Sequence, residues 1–472
     1  MILLFSSWGV VGQSTTTPVY SWLSEQNLPT VNVGFSGINT EDITISVATD
    51  PEGNVYTLTF GKGVSKRSST GALINANFIP ANQLDNPLDL AIDEVGFIYV
   101  ADYLASGETF TDNGKIKVFS PQGIYLPSQT ILTSFYRPLG IDVDKQNVYV
   151  AEFNDGNSGP ERSKLSRIRI YDKVSRVSVK ETNNVNTPFR IAVDSQKNVY
   201  VSQAGNSAPS VRKYDQNLIF QNSLPNVISP GSIVIDPFDF IHVIEYDGRI
   251  DFSRFINFES LSFSQVQSIA KNIDEGQKAD AFSIKVFDKN RDLISTIKNQ
   301  IDFPVDLTLN RCDRMYVNNA EIFGYPSFLG YIPTKMEFDL EIYRRSPSLD
   351  LAEKPVATFC PENIEVTAPA GSTSTAVTYN EPVFTDNCPG FIVTKTGLNS
   401  NSQFPIGIST ITYTAKDGAG NTTTCSFTVI VNGEAPPLDI TCPSDQPGTL
   451  GANCQFTVPD YRNLAQVNKE GA

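Results

Sequence analysis

Residues 88–102 read LDLAIDEVGFIYVAD: an apolar strand, an acidic turn residue at Asp93, and a second strand with an aromatic six places on, at Tyr99. Alternating and β-branched residues broken by Asp and Gly are the punctuation of a tight hairpin, not of a helix. Five further stretches repeat this order: ISVATDPEGNVYTL (45–58), LGIDVDKQNVYVAE (139–152), FRIAVDSQKNVYVSQ (189–203), GSIVIDPFDFIHVIE (231–245) and VDLTLNRCDRMYVNN (305–319). The turn residues are Asp50, Asp93, Asp144, Asp194, Asp236 and Asn310. Their side chains suit the place because they can bond backbone N–H groups two to four residues on.

The aligned aromatics are Tyr56, Tyr99, Tyr149, Tyr200 and Tyr316, with His242 in the fifth copy, and successive spacings are 43, 50, 51, 42 and 74 residues. Most of these spacings fit one four-stranded unit. A third strand follows in most copies, as in KIKVFSPQG, RIRIYDKVS, VRKYDQN and SIKVFDKNRD. No such unit buries both faces alone, so the copies are expected to pack radially. The expected fold class is all-β, a six-bladed β-propeller followed by an immunoglobulin-like β-sandwich.

Over about residues 40–347 the repeat resembles that of NHL propellers, whose pattern reads P-x-G-I-A-V-D-x-x-G-N-V-Y-V-A-D followed by I-x-V-F. Pro87, Pro138, Pro188, Pro230 and Pro304 open copies as that pattern does. The domain is expected to span 15–347, with the segment from about 15 to 39 supplying the strand that closes the ring. Residues 1–14 are apolar and read as a short or clipped signal peptide without a basic start.

The repeat assigns His242 a packing role, since it stands where the other copies carry tyrosine. Cys312, in the sixth hairpin turn, is expected to be an unpaired thiol. Ligands of propellers usually sit at the mouth of the central channel, which the first strand of each unit lines. Counting four places before each turn residue gives Ser46, Asp89, Gly140, Arg190, Ser232 and Asp306. Asp89, Arg190 and Asp306 are therefore the channel candidates, with Asp89 and Asp306 as ligands to a calcium ion and arginine orienting a ligand. No other cofactor is expected. Relatives of the fold include metal-dependent lactonases and lyases. The lyases use histidine ligands that a chain with one histidine cannot supply.

Two insertions interrupt the pattern. Residues 247–281 include SLSFSQVQSIAKNIDEG, in which Phe263, Val266 and Ile269 recur at helical spacing. Residues 322–338, IFGYPSFLGYIPTKMEF, concentrate Phe323, Tyr325, Phe328 and Tyr331 between glycines and prolines, and read either as an aromatic surface loop for a protein or carbohydrate partner or as a loop folded back as a small plug.

After a linker at 348–354, residues 355–433 carry Cys360-Pro361, Asp386-Asn387, Phe404-Pro405-x-Gly407, Asp417-x-x-Gly420-Asn421 and Cys425 in order. This resembles the hyalin repeat (HYR), an immunoglobulin-like extracellular module. The resemblance implies a Cys360–Cys425 disulfide and leaves Cys388 single. Residues 434–472 read as the start of a second copy, with Cys442 and Cys454.

A net charge of −15 with no basic stripe argues against nucleic acid as a partner. No apolar run reaches the ~18 residues of a membrane-spanning helix. Five of six cysteines fall after residue 355, which points to disulfides and an oxidising, extracellular compartment. Repeat, module and composition together lead to a secreted or cell-surface binding protein. The alternative is a metal-dependent lactonase or hydrolase acting at the channel.

Overall fold

The computed structural model describes residues 18–28, 31–34, 37–38, 42–103, 114–135, 137–153, 166–183, 185–203, 209–246, 248, 263–278, 281–310, 312, 314–327, 330–346, 354–386, 388, 391–417, 420–435, 439–441 and 466–468. Residues 1–14, Phe328, Cys442 and Cys454 lie outside that set. The chain divides into two compact units, 1–351 and 352–472.

The first unit is a β-propeller. Each repeat copy forms the first two strands of an antiparallel sheet: Thr44–Thr49 with Val55–Thr59, Asn86–Ile92 with Ile98–Tyr103, Arg137–Val143 with Asn147–Phe153, Pro188–Val193 with Val199–Gln203, Pro230–Ile235 with Ile241–Tyr246, and Pro304–Leu309 with Arg314–Ser327. Five sheets add two more strands in sequence order. In the sixth, the outer place beside Gly330–Ser346 is taken by Val19–Asn27, in register from Val19 opposite Ser346 to Asn27 opposite Asp339. The N-terminal strand thus completes the last sheet, as the sequence suggested. The first strands lie side by side in chain order, and Pro304–Leu309 returns to lie beside Thr44–Thr49, which closes the ring.

The hairpin turns follow from the repeat. Asp50 Oδ1 accepts the Asn54 N–H at 2.8 Å and Asp93 Oδ1 accepts the Phe97 N–H at 2.9 Å; Asp194 and Asp236 hold Asn198 and Phe240 the same way, and Asn310 holds Arg314. The other carboxylate oxygen accepts the hydroxyl of the aligned tyrosine: Tyr56 on Asp50 at 2.9 Å, Tyr99 on Asp93 at 3.2 Å, Tyr149 on Asp144 at 2.7 Å and Tyr200 on Asp194 at 3.4 Å. Burial and the facing carboxylate push these four phenols well above their usual pKa, so they act as donors.

The expected helix is present and longer than its apolar triplet suggested, running Phe263–Lys278. Ile269, Ala270 and Ile273 share a core with Ala320, Ile322, Met336 and Phe338. The reading of 322–338 as a loop is corrected. Arg314–Ser327 and Gly330–Ser346 form one long hairpin, paired from Arg314 opposite Arg344 out to Ser327 opposite Gly330. Pairing continues through Gly324 and Pro326, and the helix covers one face of the hairpin at Ala320, Ile322, Met336 and Phe338.

The second unit contains a sandwich. Ile364–Thr367, Thr422–Asn432, Gly407–Lys416 and Ile392–Thr396 form a four-stranded sheet, opposed by the pairs Val356–Phe359 with Val383–Thr385 and Ser374–Val377 with Ser402–Pro405. Phe404, Ile411, Tyr413, Phe427 and Val429 fill its interior. Cys360 and Cys425 are joined as expected. Two expectations fail: Cys312 is not a free thiol and Cys388 is not single, because both are disulfide-bonded. Cys312 is buried, and the surrounding pattern holds no signal of its redox state.

Candidate functional site: the axis and one face of the propeller

The channel candidates do come together, but their hydrogen bonds go to the surrounding backbone and serines. Arg190, on the fourth sheet, donates to the carbonyl oxygens of Leu139 at 2.5 Å and Leu88 at 3.3 Å from one terminal nitrogen, and to Ile45 at 2.9 Å from the other. Its Nε lies 3.8 Å from Asp89 and 3.9 Å from Asp306. Asp89 also accepts the Ser46 hydroxyl at 2.6 Å and the Ile141 N–H at 2.9 Å. Asp306 accepts the Ser232 hydroxyl and the Val47 N–H. One buried network therefore ties the first strands of all six sheets. Gly140 belongs to it by omission: a Cβ there would lie 2.7 Å from the Phe189 carbonyl oxygen and 2.8 Å from the Arg190 Cα.

Burial drives the Asp89 carboxyl up to about 6, against the pull of Arg190 and with the push of Asp306. Asp142, whose oxygens accept the Val143 and Val193 N–H groups, is pushed up to about 7 chiefly by burial. Asp89, Arg190 and Asp306 are each about 5 % exposed or less. The oxygens that would coordinate a calcium ion are already occupied by serine hydroxyls and backbone N–H groups. Among the described residues no group of three or more His, Cys, Asp or Glu is placed to hold a metal ion.

The sequence reading passed over a second set, three places after the repeat aromatic. Asp102 accepts the Asp85 N–H at 3.0 Å and pairs with Lys117 at 2.8 Å. Glu152 pairs with Arg167 at 2.9 Å and with Arg169. Glu245 accepts the Ile228 N–H at 2.8 Å and pairs with Lys285 at 3.3 Å, and Asn319 accepts the N–H groups of Asp302 and Phe303. All four are buried. Their recurrence at one repeat position was the available signal. Asp102, Glu245 and Asn319 pin the incoming connection to their own sheet, whereas Glu152 is held by the arginines of the neighbouring third strand.

Most of the length variation between copies lies on one face. In an antiparallel hairpin the second strand ends where the first begins, so the connection from second to third strand leaves on the face where the first strands start. On the opposite face the turns between first and second strands are short in every copy, and the longest connection is 120–130, between the third and fourth strands of the second sheet. The second-to-third connections are 60–62 in the first copy and 104–113, 154–166, 204–209 and 247–281 in the next four, with the helix in the last, and the sixth copy extends the hairpin 320–338 from the same place. Phe323 lies on this hairpin beneath Lys335, whose ammonium is 4.3 Å from the ring centroid. Tyr325 and Tyr331 lie on its two strands near the tip.

The same hairpin carries an acidic row. Glu321 stands opposite Glu337, Asn319 opposite Asp339, and Glu25 opposite Glu341. Burial raises Glu341 to about 7 despite the bond from Trp22 Nε1 at 2.5 Å, with Glu25 and Asp339 adding to the rise. Asp339 rises to about 6 through burial and then its carboxylate neighbours.

Residues 352–431 match the family model described as the HYR domain. Hyalin of Strongylocentrotus purpuratus is 33% identical over 118 residues, 24% of this chain and 10% of that protein. Hyalin of Lytechinus variegatus is 33% identical over 118 residues, 22% of that protein. A sushi, von Willebrand factor type A, EGF and pentraxin domain-containing protein of Rattus norvegicus is 32% identical over 127 residues, 25% of this chain and 3% of that protein. The chain thus spans at most about a fifth of the length of these relatives. Among solved structures, a putative gluconolactonase shares 9% identity at a TM-score of 0.42, covering 70% of this chain and 93% of that one. A virginiamycin B lyase from Staphylococcus aureus shares 12% identity at a TM-score of 0.38, covering 70% and 99%. Scores this low carry no argument about activity. Among the described residues no helix is long and apolar enough to cross a membrane.

Proposed function

We propose that this chain is an extracellular binding protein of the adhesive kind, in which the propeller presents one face to a protein or carbohydrate partner and the HYR unit belongs to a modular stalk. The observation that carries the reading is the division of labour in the ring. The axis is occupied by its own Arg190–Asp89–Asp306 network, while every lengthened second-to-third connection leaves on a single face. Binding surfaces are commonly built from variable loops on a rigid scaffold. The Cys360–Cys425 disulfide supports an oxidising compartment. A lactonase-like reaction at the channel would require carboxylates that the scaffold already uses.

The test is binding of the purified chain to a glycan array and to immobilised extracellular proteins, alongside Tyr325→Ala/Tyr331→Ala and a variant altered only in a hairpin turn of the opposite face, Lys145→Ala. Loss of a binding signal in the double variant, with Lys145→Ala unchanged, supports the assignment. Equal binding by all three would place the partner elsewhere.

A further inference from the structure

Four repeat copies with tyrosine bond its hydroxyl to the aspartate of their own hairpin turn. The fifth does not. His242 fills that place, fully buried, and the hydroxyl it meets is that of Tyr20 on the ring-closing strand Val19–Asn27. The two rings also meet edge to face, with centroids 5.6 Å apart. The fifth turn residue, Asp236, receives Arg345 instead of a tyrosine, at 3.1 Å. Arg345 stands directly opposite Tyr20 in the pairing that closes the ring, and its guanidinium covers Phe238 and Phe240 of the fifth turn.

We propose that Tyr20, Arg345, His242 and Asp236 form a clasp that locks the ring-closing strand, and that the fifth repeat carries histidine so that a residue from outside the repeat can be received there. The side-chain chemistry fits that role. A tyrosine at position 242 would project a hydroxyl into the space that Tyr20 now occupies, whereas imidazole is shorter and offers a nitrogen to it. Burial, with Arg345 nearby, holds the imidazole neutral by lowering its pKa to about 3, so the nitrogen facing Tyr20 stays a neutral partner. Elsewhere the closing strand is exposed or half-buried, with Trp22 39% exposed and bonded to Glu341, and Leu23 packed against the core. The clasp is thus a local anchor on a strand with little burial of its own.

The experiment is limited chymotrypsin digestion of the full chain, with mass spectrometry timing cleavage after position 20, Trp22 and Leu23. Four proteins are compared: wild type, Tyr20→Phe, His242→Tyr, and Ser21→Ala as an outward-facing control on the same strand. Loss of one buried bond of about 1.4 kcal/mol corresponds to a tenfold rise in the open population. Cleavage after Trp22 and Leu23 should therefore accelerate about tenfold in Tyr20→Phe and more in His242→Tyr, with Ser21→Ala at the wild-type rate. Tyr20→Phe keeps the strand's packing and an aromatic cleavage site, so it remains informative if His242→Tyr does not fold. A rate in Tyr20→Phe within twofold of wild type, or equal acceleration in Ser21→Ala, overturns the clasp.

Discussion

Replacing Arg190 with methionine removes the charge at the propeller axis while keeping an unbranched apolar stem. The guanidinium donates to three carbonyl oxygens on three sheets and lies beside two buried carboxylates. Removing one member of a buried ion pair costs about 3–5 kcal/mol, because the partner charge is left without compensation. The three carbonyl bonds do not add in full, since the same side chain makes them all and methionine refills part of the volume. The expected loss is about 4 kcal/mol at pH 7.5. With an unfolding entropy of about 2 cal/mol/K per residue over the propeller, that is a fall of about 6 °C in Tm. Differential scanning calorimetry at pH 7.5 and 5.5 gives the check. Asp89 titrates near pH 6, so at 5.5 it is largely uncharged, the pairing is weaker in the wild type, and the loss should shrink. A loss below about 1 kcal/mol, or one of equal size at both pH values, would show that Arg190 does not hold the ring through these carboxylates.

Other expectations follow from the same geometry. Asp89, Asp142, Asp339 and Glu341 have folded-state pKa values raised to between about 6 and 7, so the folded state binds their protons more tightly than the unfolded chain. Their contribution is fully present below about pH 4 and is lost as pH rises through 6 to 7; the propeller's Tm should rise between pH 8 and pH 5, and a flat or falling profile would contradict it. Gly140→Ala places a methyl group against the Phe189 and Arg190 backbone and should cost about 1–3 kcal/mol, read from urea midpoints. Cys360→Ser/Cys425→Ser opens a 65-residue separation and should cost the second unit about 4 kcal/mol, seen as an earlier unfolding transition; no change would remove the disulfide as its staple.

The ring was legible because its units announce themselves in a regular order: aspartate or asparagine in the turn, aromatic ring five or six residues later. The same spacing led to Asp89, Arg190 and Asp306 by counting. It did not reveal that these residues are held by the backbone around them, because the carbonyls of Ile45, Leu88 and Leu139 are brought to Arg190 only when the ring closes. Sequence distance hid the partner of His242 in the same way, since Tyr20 lies 222 residues earlier. The 322–338 stretch misled through Gly324, Pro326 and Pro333, local turn signals outweighed by the pairing of one continuous hairpin and by a helix from a different insertion. Asp102, Glu152, Glu245 and Asn319 were visible as a recurring polar position, yet polar residues at strand ends resemble solvated ends until their buried partners are known.

The pairing of Val19–Asn27 with Gly330–Ser346 also dictates an order of events during folding. Trp22 and Glu341 meet across 319 residues, so the last sheet cannot be completed until almost the whole propeller has been synthesised. Sheets one to five need only neighbouring chain and can assemble as they emerge, whereas the sixth must wait with an open edge. Contacts of such long sequence separation form slowly, and an unpaired edge meanwhile invites pairing with other chains. The slowest step toward the finished ring is therefore expected to be the docking of its earliest-made strand.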